Sequence, residues 1–244
     1  REFEWHYHDF HKIIVFVSGK VTYHIEGKAY QLKPQDILLV SQGAIHKPEI
    51  DPSIPYERYI FWIRDDLSSP ELNTCFQKAN DRSFNLIRLD SVLQEKLKDL
   101  LPEIEHSLRD TQFGDSILSK ALFAQFMVYI NRIFLKSSSA PDQKSYSSDS
   151  QVEQLLKYIN RNLSENLSID HLAEKFFFSK YHMMRKFKKE TGYTIHNYII
   201  SKRLLHARSL ITQGTPIMKA AKELQTFKNI AEKKLPDKDI EEFH

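Results

Sequence analysis

The pattern of apolar and polar positions changes after residue 63. Before that point the apolar residues form short runs, rich in β-branched and aromatic side chains, with turn signals such as Ser18-Gly19 and Glu26-Gly27 between them. The runs are 13–17, 21–26, 37–40 and 59–63. Short strands at this spacing are typical of a small antiparallel sandwich or barrel.

Helical periodicity follows. Apolar residues recur at intervals of three and four from Val92 to Ile104 and again from Ile117 to Phe134, which predicts two amphipathic helices. The apolar stripe of the second helix is wide. Either it is buried within one subunit, or it packs on the barrel with one side and on a second copy with the other. The predicted fold class is a multidomain α+β protein, in which an antiparallel β-barrel with helices precedes an all-α domain.

Residues 137–150 contain seven serines, one proline and no large aliphatic side chain. This composition predicts a flexible linker between two domains, 1–136 and 151–244. Beyond it we expect a helix over 152–162 and a short helix starting at Ser168 or Asp170. Ser179 is a good N-cap for a third helix from Lys180, and Gly192 a natural residue to end it. A longer helix over 195–212 and a break at 214–216 complete the pattern.

Charge is distributed unevenly. Residues 151–244 hold 17 Lys and Arg against 11 Asp and Glu, and within 171–222 the count is 11 against 2. Such a concentration indicates a surface for a polyanion, or a basic face that is only solvated. No apolar run approaches 18 residues and the N-terminus has no signal-peptide core, so we expect a cytoplasmic protein with no membrane partner. The single cysteine, Cys75, excludes an internal disulfide framework.

The stretch SKYHMMRKFKKETG, 179–192, concentrates the basic charge on one helix. Met183 and Phe187 lie four residues apart and form its inward face. The opposite face carries Tyr181, Met184, Arg185 and Lys188. The preceding short helix has an apolar face with a small residue, Ala173, that allows a close crossing. Two helices joined by a tight turn predict a helix-turn-helix motif, whose second helix enters the DNA major groove.

The run from Ile169 to Ile211 resembles the DNA-binding domain of AraC/XylS-family transcription regulators. The matching features are L-A in the first helix, S-x-x-x-M, FKKETG, and a linker helix with Tyr198, Arg203, Ala207 and Leu210. The resemblance implies that Tyr181, Met184 and Arg185 read bases. It leaves phosphate contact to Lys180, Lys186, Lys188 and Lys189.

The chemistry of these side chains agrees with those roles. Arg185 can pair with guanine O6 and N7, and Tyr181 and Met184 can contact thymine methyl groups. The alternative for Met184 is a half-buried core residue. The family has a second helix-turn-helix, which begins here at 215 with TPIMKAAKE and then departs from the pattern. The expected second recognition helix has no clear counterpart, so no base contacts are assigned there.

The histidine-rich start, HYHDFHK at 6–12, is similar to the H-x-H pair of metal-binding cupins, with His46 as the later histidine. Those proteins supply a Glu where this chain has Lys12, and a cation is a poor neighbour for a divalent metal. We therefore expect no metal and no cofactor.

The same segment resembles the cupin-like sensor domain of AraC-type regulators, with the frame H-x-H-x-x-x-K, V-x-S-G and G-K-x-Y-x-L-x-P-x-D-I-L-L-V. The resemblance implies a pocket for a small metabolite such as a sugar. Its candidate lining residues are His8, Lys12, Tyr23, His24, His46, Arg58 and Trp62. Because side chains alternate along a strand, either Tyr23 or His24 faces inward, not both.

Together these features predict a bacterial, ligand-responsive, DNA-binding regulator rather than an enzyme. Its expected partners are double-stranded DNA, a small effector, RNA polymerase and a second copy joined through helices in 91–136. The expected boundaries are a barrel over 1–63, helices over 64–136, a first helix-turn-helix over 168–191 and a linker helix over 195–212. Two rivals stay open: a metal-dependent cupin enzyme with an appended helical domain, and a regulator whose barrel binds no ligand.

Overall fold

The computed structural model describes residues 3–64, 70–109, 112–136, 147–148, 150–212 and 214–223. The chain divides into two compact units, 1–153 and 154–244. Each is described by itself.

The first unit begins with two four-stranded sheets in which every pairing is antiparallel. Its strands are β1 His11–Ser18, β2 Val21–Ile25, β3 Lys28–Gln31, β4 Ile37–Val40, β5 His46–Ile50, β6 Glu57–Ile63, β7 Leu86–Ile87 and β8 Ser147–Ser148. One sheet has the order β6-β1-β4-β7 and the other β5-β2-β3-β8. The antiparallel β-domain expected from the sequence is confirmed.

The alternation of side chains along β1 divides the unit into two cores. Ile14 and Phe16 lie in the core between the sheets, together with Tyr23 of β2. Ile13 and Val15 point the other way and join the core under the helices. Because side chains alternate between the two faces of a strand, one strand serves both cores. The face that Ile14 shares with Lys12 therefore points between the sheets.

Three helices cover the outer face of the first sheet: α1 Thr74–Arg82, α2 Ser91–Arg109 and α3 Asp115–Lys136. Phe126 and Ile130 of α3 are fully buried in the shared core. Asn131 of α3 accepts a hydrogen bond from the Cys75 amide at 2.8 Å, which ties α3 to α1. By length and composition α3 could cross a membrane, but the core helix of a globular domain meets the same criterion, and α3 packs in this core.

The second unit is helical, and its first helix begins just before the division. Its helices are α4 Ser150–Arg161, α5 Ile169–Lys175, α6 Lys180–Thr191, α7 Ile195–Thr212 and α8 Ile217–Glu223. The bounds predicted for α6 and α7 are confirmed. Side-chain capping explains the two helix starts of the motif, because Ser168 accepts from the His171 amide and Ser179 from the His182 amide.

Several elements escaped prediction. The strands β3, β5 and β7 and the helix α1 are too short or too irregular to show a period. The sheets also draw on β7 and β8, so the barrel is not limited to 1–63. Two residues of the predicted linker, 147–148, form a strand because the edge of β3 offers unpaired backbone groups. The rest of that linker lies outside the described residues apart from Ser150.

Candidate nucleic-acid interface and candidate effector site

The basic helix α6 is fixed at both ends. Ser179 caps its N-terminus, and at its C-terminus Gly192 adopts φ 74° and donates its amide to the Lys188 carbonyl at 2.9 Å. A left-handed residue at this position stops the helix, and glycine adopts that conformation without a Cβ clash.

The inward face of α6 is held by an aromatic contact. Met183 and Phe187 are buried, and the Phe187 ring meets Tyr198 of α7 edge to face, with 5.4 Å between ring centres. The Tyr198 hydroxyl donates to Asn160 Oδ1 of α4 at 3.0 Å. Tyr198 therefore links α6, α7 and α4, and it explains why a tyrosine suits this position of the linker helix.

Arg203 of α7 plays a second structural part. Its Nε donates to the Leu163 carbonyl at 2.8 Å, and a terminal nitrogen donates to the Glu165 carbonyl at 2.7 Å. Both carbonyls belong to the loop after α4. The guanidinium can satisfy two acceptors at once because its donors form a fixed fork. The sequence identified Arg203 only as one position of the linker-helix motif. The structure shows that it holds the loop after α4 against α7.

The outward face of α6 carries the three predicted base readers. Tyr181 is 72% exposed, Met184 is 41% exposed, and Arg185 is also exposed. The Arg185 guanidinium lies 5.9 Å from the centre of the Tyr181 ring. Met184 is therefore a surface residue rather than a member of the core. The structure brings all three side chains to one solvent-facing surface.

The four predicted phosphate-binding lysines differ in their surroundings. Lys188 and Lys189 are exposed. The Lys180 ammonium lies 2.6 Å from Asp170 Oδ1 in an exposed ion pair, and such pairs stabilise weakly enough to exchange for a phosphate. Lys186 is half-buried, and its amine lies 5.9 Å from the centre of the Phe178 ring. Lys188 and Lys189 are thus the best placed of the four.

The turn between α5 and α6 contains an unpredicted feature. Phe177 adopts φ 56°, and its ring is 96% exposed. A large side chain in this conformation is strained. No local pattern in the sequence marks it. The second helix-turn-helix is represented by α8, and the remainder of its expected segment, 224–244, lies outside the described residues.

In the first unit, polar side chains gather between the two sheets around Lys12. Its side chain is buried, and Nζ lies 3.4 Å from Nε2 of His8 and 3.2 Å from Nε2 of His46. Burial, and to a lesser extent the positive charge of Arg58, lowers the pKa of Lys12 to about 8. At neutral pH the amine remains largely protonated and donates to the two imidazoles.

The imidazoles are oriented by backbone carbonyls. Nδ1 of His46 donates to the Ala44 carbonyl at 2.8 Å, and Nδ1 of His6 donates to the Glu4 carbonyl at 2.8 Å. These bonds leave Nε2 of each ring as an acceptor. Burial lowers the pKa of all three histidines, that of His8 to about 4. The rings are therefore neutral acceptors around a cation.

Nitrogens of His6, His8 and His46 lie within 4.8 Å of one another, so these rings have the composition of a three-histidine metal site. A metal would have to replace Lys12 as the cation between His8 and His46. The Lys12 ammonium already uses the Nε2 lone pairs of those two rings. Lys12 and a metal ion would therefore compete for the same two nitrogen atoms, as expected from the sequence.

Tyr23 adjoins the cluster, and Arg58 and Tyr56 contact each other. The Tyr23 ring stacks on His46 with 5.9 Å between centres, and burial raises its pKa. The guanidinium of Arg58 lies 4.4 Å above the centre of the Tyr56 ring. Within the described part of the chain, the Tyr56 hydroxyl is buried and has no hydrogen-bond partner. Tyr56 was not foreseen, because nothing in its local sequence distinguishes it.

Two predicted lining residues lie elsewhere. His24 faces outward, where Nε2 lies 3.0 Å from a Glu49 carboxylate oxygen, so its assignment to the pocket was wrong. Alternation along β2 turns Tyr23 inward and His24 outward, as only one of the two can do. Trp62 is 59% exposed and contacts Phe10, whose ring stacks on His8. It belongs to an aromatic rim rather than to the buried cluster.

Comparison with known families agrees with both units. Residues 1–127 match the AraC-like ligand-binding domain, and residues 159–199 match the bacterial regulatory helix-turn-helix proteins of the AraC family. The chain therefore belongs to the AraC family of bacterial transcription regulators, with a ligand-binding domain and a helix-turn-helix domain. The resemblance deduced from the sequence is confirmed.

Similar proteins are named as transcriptional activators or regulators of the helix-turn-helix type. The chain is 22% identical over 210 residues to the HTH-type transcriptional activator RhaR of Mannheimia succiniciproducens, covering 86% of this chain and 73% of that protein. It is 24% identical over 226 residues to the uncharacterized HTH-type transcriptional regulator YbfI of Bacillus subtilis, covering 91% and 78%.

Among solved structures, the AraC-like transcriptional activator CuxR is 18% identical with a TM-score of 0.39, covering 88% of this chain and 72% of that one. Apo ToxT K231A from Vibrio cholerae is 14% identical with a TM-score of 0.39, covering 91% and 82%.

Proposed function

We propose that this protein is an effector-responsive transcription regulator that reads a specific DNA sequence with α6. The carrying observation is the division of α6 into a buried face, Met183 and Phe187, and an exposed face with Tyr181, Met184 and Arg185. A helix fixed by a cap, a glycine stop and an aromatic clamp presents these side chains in one geometry. That rigidity is what reading base edges in the major groove requires.

Within this proposal Arg185 has the most specific role. Its guanidinium can donate two hydrogen bonds to guanine O6 and N7, a pairing that discriminates by roughly 1–3 kcal/mol. Tyr181 and Met184 contribute apolar contact. Lys188 and Lys189 neutralise phosphates and set the orientation without reading sequence. Lys180 is paired with Asp170 and Lys186 packs on Phe178. These two lysines therefore contribute positive potential near the DNA rather than direct phosphate contacts.

The effector is proposed to bind between the sheets, beside Lys12, His8 and His46. Small-molecule sites combine apolar walls with a few placed polar groups. Here Ile14 and Phe16 belong to the apolar core between the sheets, and Lys12 and the imidazoles are polar groups on its border. A hydroxylated metabolite such as a sugar or a related compound suits these hydrogen-bonding groups.

The active form is proposed to be a homodimer. Large apolar side chains stand exposed around the corner between α2 and α3: Leu108 is 67% exposed, Phe113 fully exposed and Ile117 73% exposed. A second copy of the same corner would cover this patch, since a two-fold axis brings identical surfaces together. Action in the bacterial cytoplasm, and contact with RNA polymerase, complete the proposed role.

A metal-dependent cupin enzyme is the second candidate, because His6, His8 and His46 approach one another. It requires stoichiometric metal in the purified protein. Elemental analysis separates the two candidates: we expect less than one equivalent of any transition metal, whereas one tightly held equivalent that is lost in His46→Gln favours the enzyme.

DNA reading is tested by selecting bound duplexes from a random-sequence pool and sequencing them. A defined motif with a guanine that becomes degenerate in Arg185→Ala supports the proposal. Recovery of sequences with no shared motif, or the same motif for Arg185→Ala, refutes the assignment of α6 as the reader.

A further inference from the structure

Between the sheets, the buried cation Lys12 has acceptors but no counter-charge. Its two hydrogen-bond partners are neutral imidazoles, and no carboxylate lies within ion-pair distance of Nζ among the described residues. Arg58, whose charge lowers the pKa of Lys12 in addition to burial, is also positive. A buried lysine without an anion is costly and is seldom kept for stability alone.

A second polar group of the first unit lacks a hydrogen-bond partner among the described residues. The Tyr56 hydroxyl is buried and unbonded within the described residues, and the Arg58 guanidinium packs on its ring. A buried orphaned donor needs an explanation, and an absent ligand is one. Lys12 and Tyr56 are both donors that an acceptor would satisfy, and an acceptor with negative charge also supplies the counter-charge that Lys12 lacks.

We infer that the effector of this protein carries a carboxylate, which is bound by the Lys12 ammonium with Tyr56 and Arg58 as further donors. This rests on the proposed effector role of the domain. His8 and His46 stay hydrogen-bonded to the Lys12 ammonium through Nε2 and hold it in place for the carboxylate. The effector is accordingly an acid, such as a sugar acid, rather than a neutral sugar.

The Lys12 side chain is suited to this role by its position. It projects from the start of β1 into the space between the sheets, and its neighbours across the sheet are Val40 of β4 and Trp62 of β6. Water is largely excluded around Nζ, so a charge-assisted hydrogen bond there is stronger than at the surface. Trp62 is exposed and contacts Phe10, whose ring stacks on His8.

The test uses matched pairs of an acid and its neutral counterpart on the full-length protein. The pairs are D-galacturonate and D-galactose, benzoate and benzamide, and hexanoate and hexanamide. Thermal shift ranks them at millimolar concentration, and calorimetry measures Kd for any that bind. We expect at least one acid to stabilise the protein and to bind roughly 10- to 100-fold more tightly than its partner. Zinc chloride and inorganic phosphate are tested alongside.

Three variants assign the effect. Lys12→Met should abolish the preference for the acid, while Lys20→Met, which removes an exposed lysine paired with Asp51, should leave it intact. Tyr56→Phe removes a hydroxyl that has no hydrogen-bond partner among the described residues. It should therefore not lower the melting temperature of the free protein, and it should still weaken binding of the acid. If Lys12→Met does not fold, Tyr56→Phe still tests the inference.

Each opposing result has a definite meaning. A neutral compound that binds as tightly as its acid, or an acid preference that survives in Lys12→Met, overturns the inference but leaves the effector role intact. Stabilisation by none of the acids overturns it as well, and the DNA selection still reports on the regulator independently. Stabilisation by zinc that increases in Lys12→Met shows that the cluster is a metal site instead.

Discussion

The Lys12 ammonium lies 3.2 Å from Nε2 of His46, a ring whose other nitrogen is engaged by the Ala44 carbonyl. One backbone hydrogen bond thus fixes the tautomer, and the tautomer fixes which side of the ring can accept from the lysine. Both side chains are buried, and the consequences of their pairing can be measured without knowing the effector.

Acid should destabilise the first unit through its histidines. In the folded protein burial lowers the pKa of His8 to about 4 and lowers those of His6 and His46, whereas each titrates near 6.5 when unfolded. Between these values the unfolded chain binds more protons, so stability falls as pH decreases from 6.5 towards 4. Melting temperatures measured from pH 7 to pH 5 should decrease.

The control for acid sensitivity is Lys12→Met. Removing the ammonium removes repulsion that lowers the pKa of His8 and His46, so the variant should lose less stability over the same range. The positive Lys12 is opposed locally by Asp9, which raises the pKa of His8. Equal slopes for the two proteins would contradict the assignment to this cluster.

Lys12→Met should also stabilise the ligand-free protein at pH 7, by about 1–3 kcal/mol, because an unpaired buried charge is replaced by an apolar chain of similar length. The pKa of Lys12 falls from 10.5 unfolded to about 8 folded. The penalty is therefore fully present below pH 8 and disappears as pH rises towards 10.5. Urea unfolding at pH 7 measures it. A less stable variant would show that Lys12 is held by favourable contacts.

Phe177→Gly should stabilise the helix-turn-helix unit by about 0.5–1 kcal/mol, because glycine adopts positive φ without strain and the exposed ring has few contacts to lose. Gly192→Ala is the opposite control, since it places a Cβ at φ 74° and should destabilise. Thermal unfolding of both variants checks the prediction. A less stable Phe177→Gly would mean that the ring makes a contact that matters.

Ile117→Lys should weaken the proposed dimer at least about tenfold, because it places a charge in the apolar patch at the corner of α2 and α3. Ile54→Lys, at a 42% exposed position in the turn before β6, is the matched control. Sedimentation velocity over a concentration series gives the association constants. A monomeric wild type, or equal association of all three proteins, would refute this surface as the interface.

The sequence was most informative where a local rule determines structure. Ser179 and Gly192 gave the bounds of α6 because caps act within a few residues, and Met183 and Phe187 gave its buried face because helical spacing alone defines it. The chemistry around Lys12 depends on long-range pairing. His46 reaches Lys12 only through the folded sheets, and β5, which carries His46, has no recognisable period. Strand alternation predicted that only one of Tyr23 and His24 faces inward, but it could not predict which of the two.

The most direct measurement of the central claim is the affinity of wild type, Arg185→Ala and Lys188→Ala for a selected duplex and for a scrambled one, over a range of salt. We predict that Arg185→Ala weakens binding to the selected duplex by roughly 1–3 kcal/mol and largely spares the scrambled one. Lys188→Ala should weaken both and reduce the salt slope by up to about one unit. Equal losses of Arg185→Ala on the two duplexes would contradict the account of α6 as the helix that reads the sequence.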